Sequence, residues 1–349
     1  MTDAARQPQR LLFVPVSGAF GIGEYARSLA IARAAIVRWP DAQVHFLLSA
    51  QAPYAAATPF EHTLLPSSPT FHSAEVIACL RRFRPDVVVF DNAGRTAQLR
   101  AAHALGAAVI YISSRRRQRN KAFRWRWMGL LDEHWIAYPE FIAGTLGPLE
   151  RLKLVLRGRP RVRYLDVILS PGSGSIPAAR SDEKFALVIP GGGTGHPGAA
   201  DAVARFFAAA ERLAADGVRT LFVGPAGGAA AANLQVLGSV PQAELAALLR
   251  GASLVVVNGG STLLQAIACG CACVAVAIAK DQRERIRRCV VAGVASGAPL
   301  EISAIANAAL ALWRDAPARE GLARRAADLK LADGLVVALD GIGASLRRP

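Results

Sequence analysis

The chain has 349 residues, 52% of them hydrophobic and 19% charged, which excludes an intrinsically disordered protein and predicts two domains of ordinary size. Its apolar runs are far shorter than the roughly 20 residues of a membrane-spanning helix, and its first ten residues lack the apolar core of a signal peptide. The formal net charge of +15 favours anionic partners: nucleic acid, anionic lipid or phosphorylated substrates.

Apolar strands alternate with helices through the first 170 residues. A strand at residues 11–16 precedes a glycine-rich turn and a helix with apolar residues at helical spacing. Further elements follow, with strands predicted at residues 44–48, 86–90, 108–112, 133–138 and 164–169, and helices at residues 76–83 and 96–105. Because these strands are apolar throughout, they are typical of a parallel sheet covered by helices on both faces.

A Pro-, Gly- and Ser-rich stretch at residues 171–184 is typical of a linker, and the alternation restarts after it. The second half is predicted to hold strands at residues 185–189, 220–223, 254–257 and 272–278, and residues 234–237 are short and apolar. Helices are predicted at residues 199–215, 242–249, 263–269, 302–314, 318–329 and 335–346. The sequence therefore predicts two Rossmann-like α/β domains, at residues 1–170 and 185–334, with ligands outside the carboxyl ends of the strands.

A glycine turn after the strand at residues 254–257 is the strongest local signal. Its sequence is Asn258-Gly259-Gly260-Ser261-Thr262, and a short apolar helix follows. Glycines let backbone N–H groups approach a ligand, and a helix N-terminus offers unpaired donors and partial positive charge. The turn is either a phosphate cradle or an ordinary capped turn, with Ser261 or Thr262 as the N-cap or as a direct ligand.

The longer string from this turn, through Cys-Gly-Cys-Ala and a strand to Asp281-Gln282 and a basic helix, resembles GT-B glycosyltransferases. The likeness is to the group with the peptidoglycan N-acetylglucosaminyltransferase and the nucleotide-sugar hydrolase of pseudaminic acid synthesis. It covers residues 185–295 and implies two domains facing a cleft, with a tail helix packed on the first. The residues that it implicates in donor binding are Gly259, Gly260, Ser261, Thr262, Asp281 and Gln282.

Two further features bear on the donor site that the resemblance implies. The group usually has Glu in the helix after the turn, where it binds the nucleotide ribose, but Gln265 stands there and has no charge. In the group, the loop after the first strand of the second domain borders the donor diphosphate, which adds Gly191, Gly192, Gly193, Thr194 and His196. His196 either donates to a phosphate or is simply solvated.

A carboxylate is expected to be the catalytic base. In the resembled group the amino-terminal loop carries a His that can be the base, and Glu24 stands at that position. Partial burial would suit Glu24 for taking a proton from an acceptor hydroxyl or water, although a first-turn Glu also simply favours the helix dipole. Asp91, at the carboxyl end of the strand at residues 86–90, is the rival candidate.

A basic block at residues 115–128 interleaves arginines with aromatic residues. Residues 111–165 hold thirteen Lys and Arg against four Asp and Glu, a net charge of +9. Phe123, Trp127, Leu130 and Leu131 can share one helical face flanked by arginines, which predicts a helix on an anionic membrane surface. The alternatives are nucleic acid, which we expect less, and a solvated helix whose tryptophans belong to the core.

The resulting prediction is a cytoplasmic, peripherally membrane-bound glycosyltransferase that moves a sugar from a nucleotide-diphosphate sugar, expected to be UDP-linked, to a lipid-linked or other envelope acceptor. We expect a hexosyl or N-acetylhexosaminyl transfer with no metal and no cofactor besides the donor. Five cysteines, three of them within one apolar segment, predict buried thiols rather than disulfides or a zinc site. The alternatives are a nucleotide-sugar hydrolase and a degenerate GT-B binding protein.

Overall fold

A computed structural model of the protein describes residues 9–19, 22–169, 184–191, 199–225 and 232–346. The described residues form two compact units. The first runs to Ile168 and also takes in the chain from Ala332 onward, and the second lies between Leu169 and Leu331. The predicted linker at residues 171–184 lies almost wholly outside the described residues.

The first unit is a seven-stranded parallel sheet in the order β3-β2-β1-β4-β5-β6-β7. Its strands are β1 (Arg10–Pro15), β2 (Gln43–Ser49), β3 (Glu61–Leu65), β4 (Val87–Asp91), β5 (Ala108–Ser113), β6 (Glu133–Ile136) and β7 (Arg161–Tyr164). Its helices up to β7 are α1 (Gly23–Arg38), α2 (Ser73–Phe83), α3 (Thr96–Ala104), α4 (Arg116–Ala122), α5 (Trp125–Met128), α6 (Glu140–Ala143) and α7 (Pro148–Arg157), with 3-10 turns at Ala55–Ala57 and Pro69–Phe71.

The second unit is a six-stranded parallel sheet in the order β10-β9-β8-β11-β12-β13. Its strands are β8 (Ala186–Ile189), β9 (Thr220–Phe222), β10 (Leu234–Val236), β11 (Leu254–Asn258), β12 (Cys273–Val276) and β13 (Ser296–Ala298). Its helices are α8 (Ala199–Ala215), α9 (Gln242–Gly251), α10 (Ser261–Ala268), α11 (Lys280–Val291), α12 (Ile302–Arg314) and α13 (Ala316–Asp328), and the last helix is α14 (Gly334–Leu346).

Burial on both faces explains why the central strands are apolar throughout. In β1, Leu11 and Phe13 enter one core cluster of the first unit, and Leu12 and Val14 enter the cluster on the opposite face. Alternate residues of a strand point to opposite faces, so a strand with helices on both sides needs apolar residues at every position. The continuous apolar runs therefore identified the covered strands.

The final helix, α14, completes the first unit. Its buried residues Leu335, Ala338 and Ile342 belong to the same core cluster as residues of α1 and β1. At its exposed edge, Asp340 forms an ion pair with Arg38 of α1, with 2.8 Å between the charged atoms. The chain thus returns to the first sheet after it has formed the second.

The observed edge strands differ from the predicted ones. The strand expected at residues 164–169 is instead β7, because Asp166 has a left-handed backbone (φ 46°) that ends the extended conformation. The prediction also missed β3 and β13. In these edge strands few side chains are buried, so they lack the continuous apolar run of a covered strand.

The basic block does not form the predicted membrane-surface helix. It contains two short helices, α4 and α5, and the side chains expected on the apolar face lie in the protein core: Phe123 (3% exposed), Trp127 (4%) and Leu131 (0%). The indole N–H of Trp127 donates to Thr96 Oγ1 at 3.0 Å. That prediction was wrong because helical spacing groups apolar side chains on one face without showing whether that face points to solvent or to the core. Among the described helices, none is long and apolar enough to cross a bilayer.

Candidate functional site

The first sheet has a topological switch point between β1 and β4. The strand order runs outward from this pair in both directions, so the connections leave the sheet on opposite sides and open a crevice at the carboxyl ends. Glu24, in the first turn of α1, follows β1, whereas Asp91 ends β4 and Asn92 follows it. Both predicted base candidates therefore lie at the position where such sheets bind ligands.

Asp91 is completely buried, and both oxygens of its carboxylate accept hydrogen bonds from an arginine. Arg27 donates from Nε to one oxygen at 2.8 Å and from Nη2 to the other at 2.7 Å. Burial raises the pKa of Asp91 to about 6 although Arg27 acts in the opposite direction, so the carboxyl is ionised at neutral pH. Burial alone would lower the pKa of Arg27, but pairing with Asp91 leaves it raised. This ion pair ties α1 to the end of β4.

Glu24 is half-buried and is held through one oxygen. Asn92, in the left-handed backbone region (φ 53°), donates from Nδ2 to Glu24 Oε1 at 2.9 Å and to Ser114 Oγ at 2.5 Å. The Ser114 backbone N–H donates in turn to Asn92 Oδ1 at 2.9 Å. Asn92 thus connects the loops after β4 and β5 to the carboxylate on α1. Sequence reasoning missed Asn92 and Ser114; their position after consecutive predicted strands was the available signal.

The second sheet has its own switch point, between β8 and β11. Asn258, the last residue of β11, bridges the two strand ends: its Nδ2 donates to the Pro190 carbonyl at 2.7 Å, and its Oδ1 accepts from the Gly260 N–H at 2.8 Å. Gly191 has φ +95°, and a side chain there would collide with the Asn258 amide. Glycine is therefore required at residue 191 by both its backbone and its surroundings.

The glycine turn after β11 is shaped by close packing. A Cβ on Gly259 would come within 2.8 Å of Gln282 Cβ and of Ile286 on α11, so only glycine fits. The N-cap of α10 is Gly260, which makes Ser261 and Thr262 the first two helical residues and excludes them as the N-cap. No side chain among the described residues caps this helix, so its first-turn amides and hydroxyls form an uncapped N-terminus suited to an anion.

The remaining donor-site candidates lie on α10 and α11. Gln282 is buried and its Oε1 accepts from the Ile278 N–H at 3.0 Å, so the loop before α11 already uses this oxygen. Asp281 is exposed, with 3.6 Å between one carboxylate oxygen and Arg285 Nη2. Arg285 also donates to the Gly259 carbonyl. Gln265, in the second turn of α10, is half-buried.

Arg285 is therefore a charged residue under the glycine turn that sequence reasoning missed. Its spacing of four residues from Asp281 on α11 was the signal. The other predicted donor-loop residues, Gly192, Gly193, Thr194 and His196, lie outside the described residues.

The cysteines of the second unit are packing residues. Cys271 and Cys273 are buried, and the Cys271 thiol donates to the Leu249 carbonyl at 2.8 Å. Burial raises the pKa of both thiols well above the ordinary value. All five cysteines are free thiols. In the described ranges, no three His, Cys, Asp or Glu side chains are grouped as metal ligands.

No protein-family model matches the sequence, and no curated protein is significantly similar to it. Solved structures do match over nearly the whole chain. The calicheamicin glycosyltransferase CalG4 is 18% identical with a TM-score of 0.67, covering 98% of this chain and 99% of that chain.

Two further structures match at a similar level. The Arabidopsis thaliana protein UGT89C1 in complex with UDP is 15% identical with a TM-score of 0.65, covering 97% of this chain and 99% of that chain. MurG of Acinetobacter baumannii is 16% identical with a TM-score of 0.64, covering 95% and 99%. Because the three fit about equally, the expected likeness to one subgroup stays a prediction. With its two parallel α/β units, the chain has the GT-B glycosyltransferase fold.

Proposed function

We propose that the protein is a glycosyltransferase whose donor is a nucleotide-diphosphate sugar. The observation that carries the proposal is the uncapped, glycine-initiated helix α10 at the switch point of the second sheet. Its turn is held open by Asn258 and packed so closely that Gly259 admits no side chain. Helix N-termini of this kind bind phosphate through backbone N–H groups and the helix dipole.

In this proposal the diphosphate binds the first turn of α10. The N–H groups of the turn and the hydroxyls of Ser261 and Thr262 donate to its oxygens, and the helix dipole stabilises the charge that develops as the sugar departs. Arg285 holds the Gly259 carbonyl and adds positive charge beneath the turn. One structural neighbour contains UDP, which supports a UDP-linked donor. We propose that this transfer needs no metal ion.

Sugar recognition belongs to α11 and ribose recognition to α10. We propose that Asp281 accepts hydrogen bonds from sugar hydroxyls. Gln282 donates to the sugar through its amide N–H, because its oxygen already accepts a hydrogen bond from the Ile278 N–H. Gln265 would accept from a ribose hydroxyl without a negative charge. The sugar proposed is a hexose or N-acetylhexosamine.

The first unit supplies the base. Glu24 takes the proton of an acceptor hydroxyl while that oxygen bonds to the anomeric carbon and the bond from this carbon to the diphosphate oxygen breaks. Asn92 orients the carboxylate through Oε1. Asp91 acts as a positioning residue, because Arg27 occupies both of its oxygens. A hydrolase would use the same groups with water as the acceptor.

The test of the donor site is calorimetric titration with UDP, GDP, dTDP and CDP. We expect one nucleotide to bind, and the Ser261→Ala/Thr262→Ala variant to bind it at least about tenfold more weakly, because each hydrogen bond to a charged group contributes about 1.5–3 kcal/mol. Ser303→Ala is the matched control, since Ser303 is exposed in the first turn of α12. If no nucleotide binds, or if both variants bind like the wild type, this donor site is wrong.

A further inference from the structure

Helix α7 of the first unit has its apolar face turned toward solvent. Four of its five large apolar side chains are exposed: Leu149 (72%), Leu152 (53%), Val155 (81%) and Leu156 (65%). None of its residues is buried. At 3.6 residues per turn, these four positions share one face of the helix. A surface helix normally turns such a face toward the core, so α7 is inverted.

Polar contacts hold α7 in this orientation. Glu150 accepts two hydrogen bonds from the buried Arg119, at 2.9 Å from Nε and 2.6 Å from Nη2. Lys153 Nζ donates to the Phe123 carbonyl at 3.1 Å. The charged face of α7 therefore faces the protein. Because the apolar face lies on the opposite side of the helix, it faces outward.

Both ends of α7 are defined by the local sequence. Pro148 occupies the first helical position, the Gly147 N–H donates to Glu150 Oε2 at 2.9 Å, and Gly158 ends the helix with φ 69°. These are strong start and stop signals. The local sequence therefore specifies this helix, and with it the exposed apolar face.

Helix α5 lies beside α7. The Lys153 bond to Phe123 brings α7 next to the start of α5, and the Arg157 guanidinium lies against Gly129 at the end of α5. Trp125 of α5 is 48% exposed. We call Trp125, Leu149, Leu152, Val155 and Leu156 the α7 face.

Positive charge surrounds the α7 face. Four arginines on the same two helices and their flanks are exposed: Arg124, Arg126, Arg151 and Arg157. The single acidic residue of α7, Glu150, is engaged by Arg119. An occupant of this surface must therefore accept aliphatic side chains and carry negative charge. Two copies of the chain packed through this face would bring the same arginines together, and nucleic acid offers no apolar layer for four aliphatic side chains.

We propose that the α7 face docks on an anionic phospholipid bilayer. The leucines, the valine and Trp125 enter the boundary between headgroups and acyl chains, and the arginines contact lipid phosphates. This inference goes beyond the proposed function, because membrane docking requires neither Glu24 nor the donor turn. It places the apolar contact mainly on α7, together with Trp125 of the basic block, whose Phe123 and Trp127 are buried.

The test is co-sedimentation of the protein, without nucleotide, with equimolar phosphatidylglycerol–phosphatidylcholine vesicles and with phosphatidylcholine alone. We expect binding to the anionic vesicles that weakens as salt rises from about 0.1 M to about 1 M, where the Debye length falls to roughly 3 Å. Val155→Glu is expected to weaken binding about tenfold or more, since an aliphatic side chain contributes about 1.5–3 kcal/mol when buried. Val37→Glu is the matched control, because Val37 is 76% exposed on α1.

The outcomes separate the alternatives. Equal binding to both vesicle types, no vesicle binding, or equal loss in Val155→Glu and Val37→Glu would overturn the proposal. A concentration-dependent dimer that Val155→Glu abolishes, with no vesicle binding, would assign the face to a second copy. The Ser261→Ala/Thr262→Ala variant must bind vesicles like the wild type, so a failed donor site and a failed membrane face give distinguishable results.

Discussion

The two switch points of this protein share a topology and differ in chemistry. In the first unit the crevice between β1 and β4 contains a carboxylate, Glu24, and a buried Arg27–Asp91 pair. In the second unit the corresponding crevice, between β8 and β11, is built from glycine backbone and neutral Asn258 at the start of an uncapped helix. The carboxyl edge of the first sheet therefore presents a carboxylate, and the carboxyl edge of the second sheet presents hydrogen-bond donors suited to an anion.

Each switch point has an asparagine, and the two asparagines have different roles. Asn92 points its amide at a side chain, the carboxylate of Glu24, whereas the bonds of Asn258 to described residues are to backbone groups, at Pro190 and Gly260. The first therefore orients the Glu24 carboxylate and the second sets the shape of a loop. The fold supplies the location, and the neighbouring residues decide the chemistry.

The largest expected effect tests the base in the first unit. Glu24→Gln is expected to lower kcat about 10²- to 10⁴-fold, the usual contribution of a general base, and to leave nucleotide affinity unchanged. The measurement is turnover of the nucleotide sugar that binds, beside the Kd for its nucleotide. Glu75→Gln is the matched control, since Glu75 occupies the first turn of α2. Equal kcat in the two variants would remove Glu24 from the mechanism.

The second prediction contrasts the charged and neutral anchors. Asp91→Ala leaves Arg27 buried without its partner and is expected to lower the free energy of unfolding by about 3–5 kcal/mol. Asn258→Ala removes neutral hydrogen bonds and is expected to lower it by about 1–3 kcal/mol. Urea unfolding followed by tryptophan fluorescence reports the first unit, which holds four of the five tryptophans, and circular dichroism follows both.

A double variant distinguishes the loss of the ion pair from general disruption of the core. In Arg27→Met/Asp91→Leu both charges are replaced by apolar side chains, and most of the lost stability should return. If the double variant is as unstable as Asp91→Ala, the charge contrast between the two units does not account for the loss.

The third prediction concerns the packing of the donor turn. Gly259→Ala places a Cβ against Gln282 and Ile286, and it is expected to lower the free energy of unfolding by about 1–3 kcal/mol and to weaken nucleotide binding. Gly297→Ala on β13 is the control, because its Cβ would meet Ile286 at an ordinary 3.6 Å. Nucleotide titration of both variants decides whether the turn geometry matters for the ligand.

The last prediction concerns a buried histidine of the first unit, whose effect on stability is small near neutral pH. Burial, together with the nearby charge of Arg119, lowers the pKa of His134 from 6.5 to about 3. Between these values the unfolded chain binds the extra proton, so stability is present above about pH 6.5 and falls by up to about 1.4 kcal/mol per pH unit below it. Urea unfolding at several pH values should show this slope, reduced in His134→Gln but retained in His62→Gln.

Much of the fold followed from the sequence. The bounds of α8 and α12 were predicted to the residue, and the covered strands within one to three residues, because apolar runs between glycine and proline breakers identify them. The edge strands β3 and β13 were missed because few of their side chains are buried. Helix α7 was missed altogether, although Pro148 at its start and Gly158 at its end were available signals.

The sequence by itself determined which residues stand at strand ends, because chain order in alternating α/β units places Glu24, Asp91 and Gly259–Ser261 at the carboxyl edges. The glycine turn after β11 could be predicted for the same reason. Only the tertiary structure decided that Asp91 is occupied by Arg27, that Asn92 holds Glu24, and that Arg285 lies beneath Gly259. It also decided that Phe123 and Trp127 of the basic block point inward and that most of the aliphatic side chains of α7 point outward. These facts depend on packing between segments distant in sequence, and residue spacing carries no information about which neighbour a side chain meets.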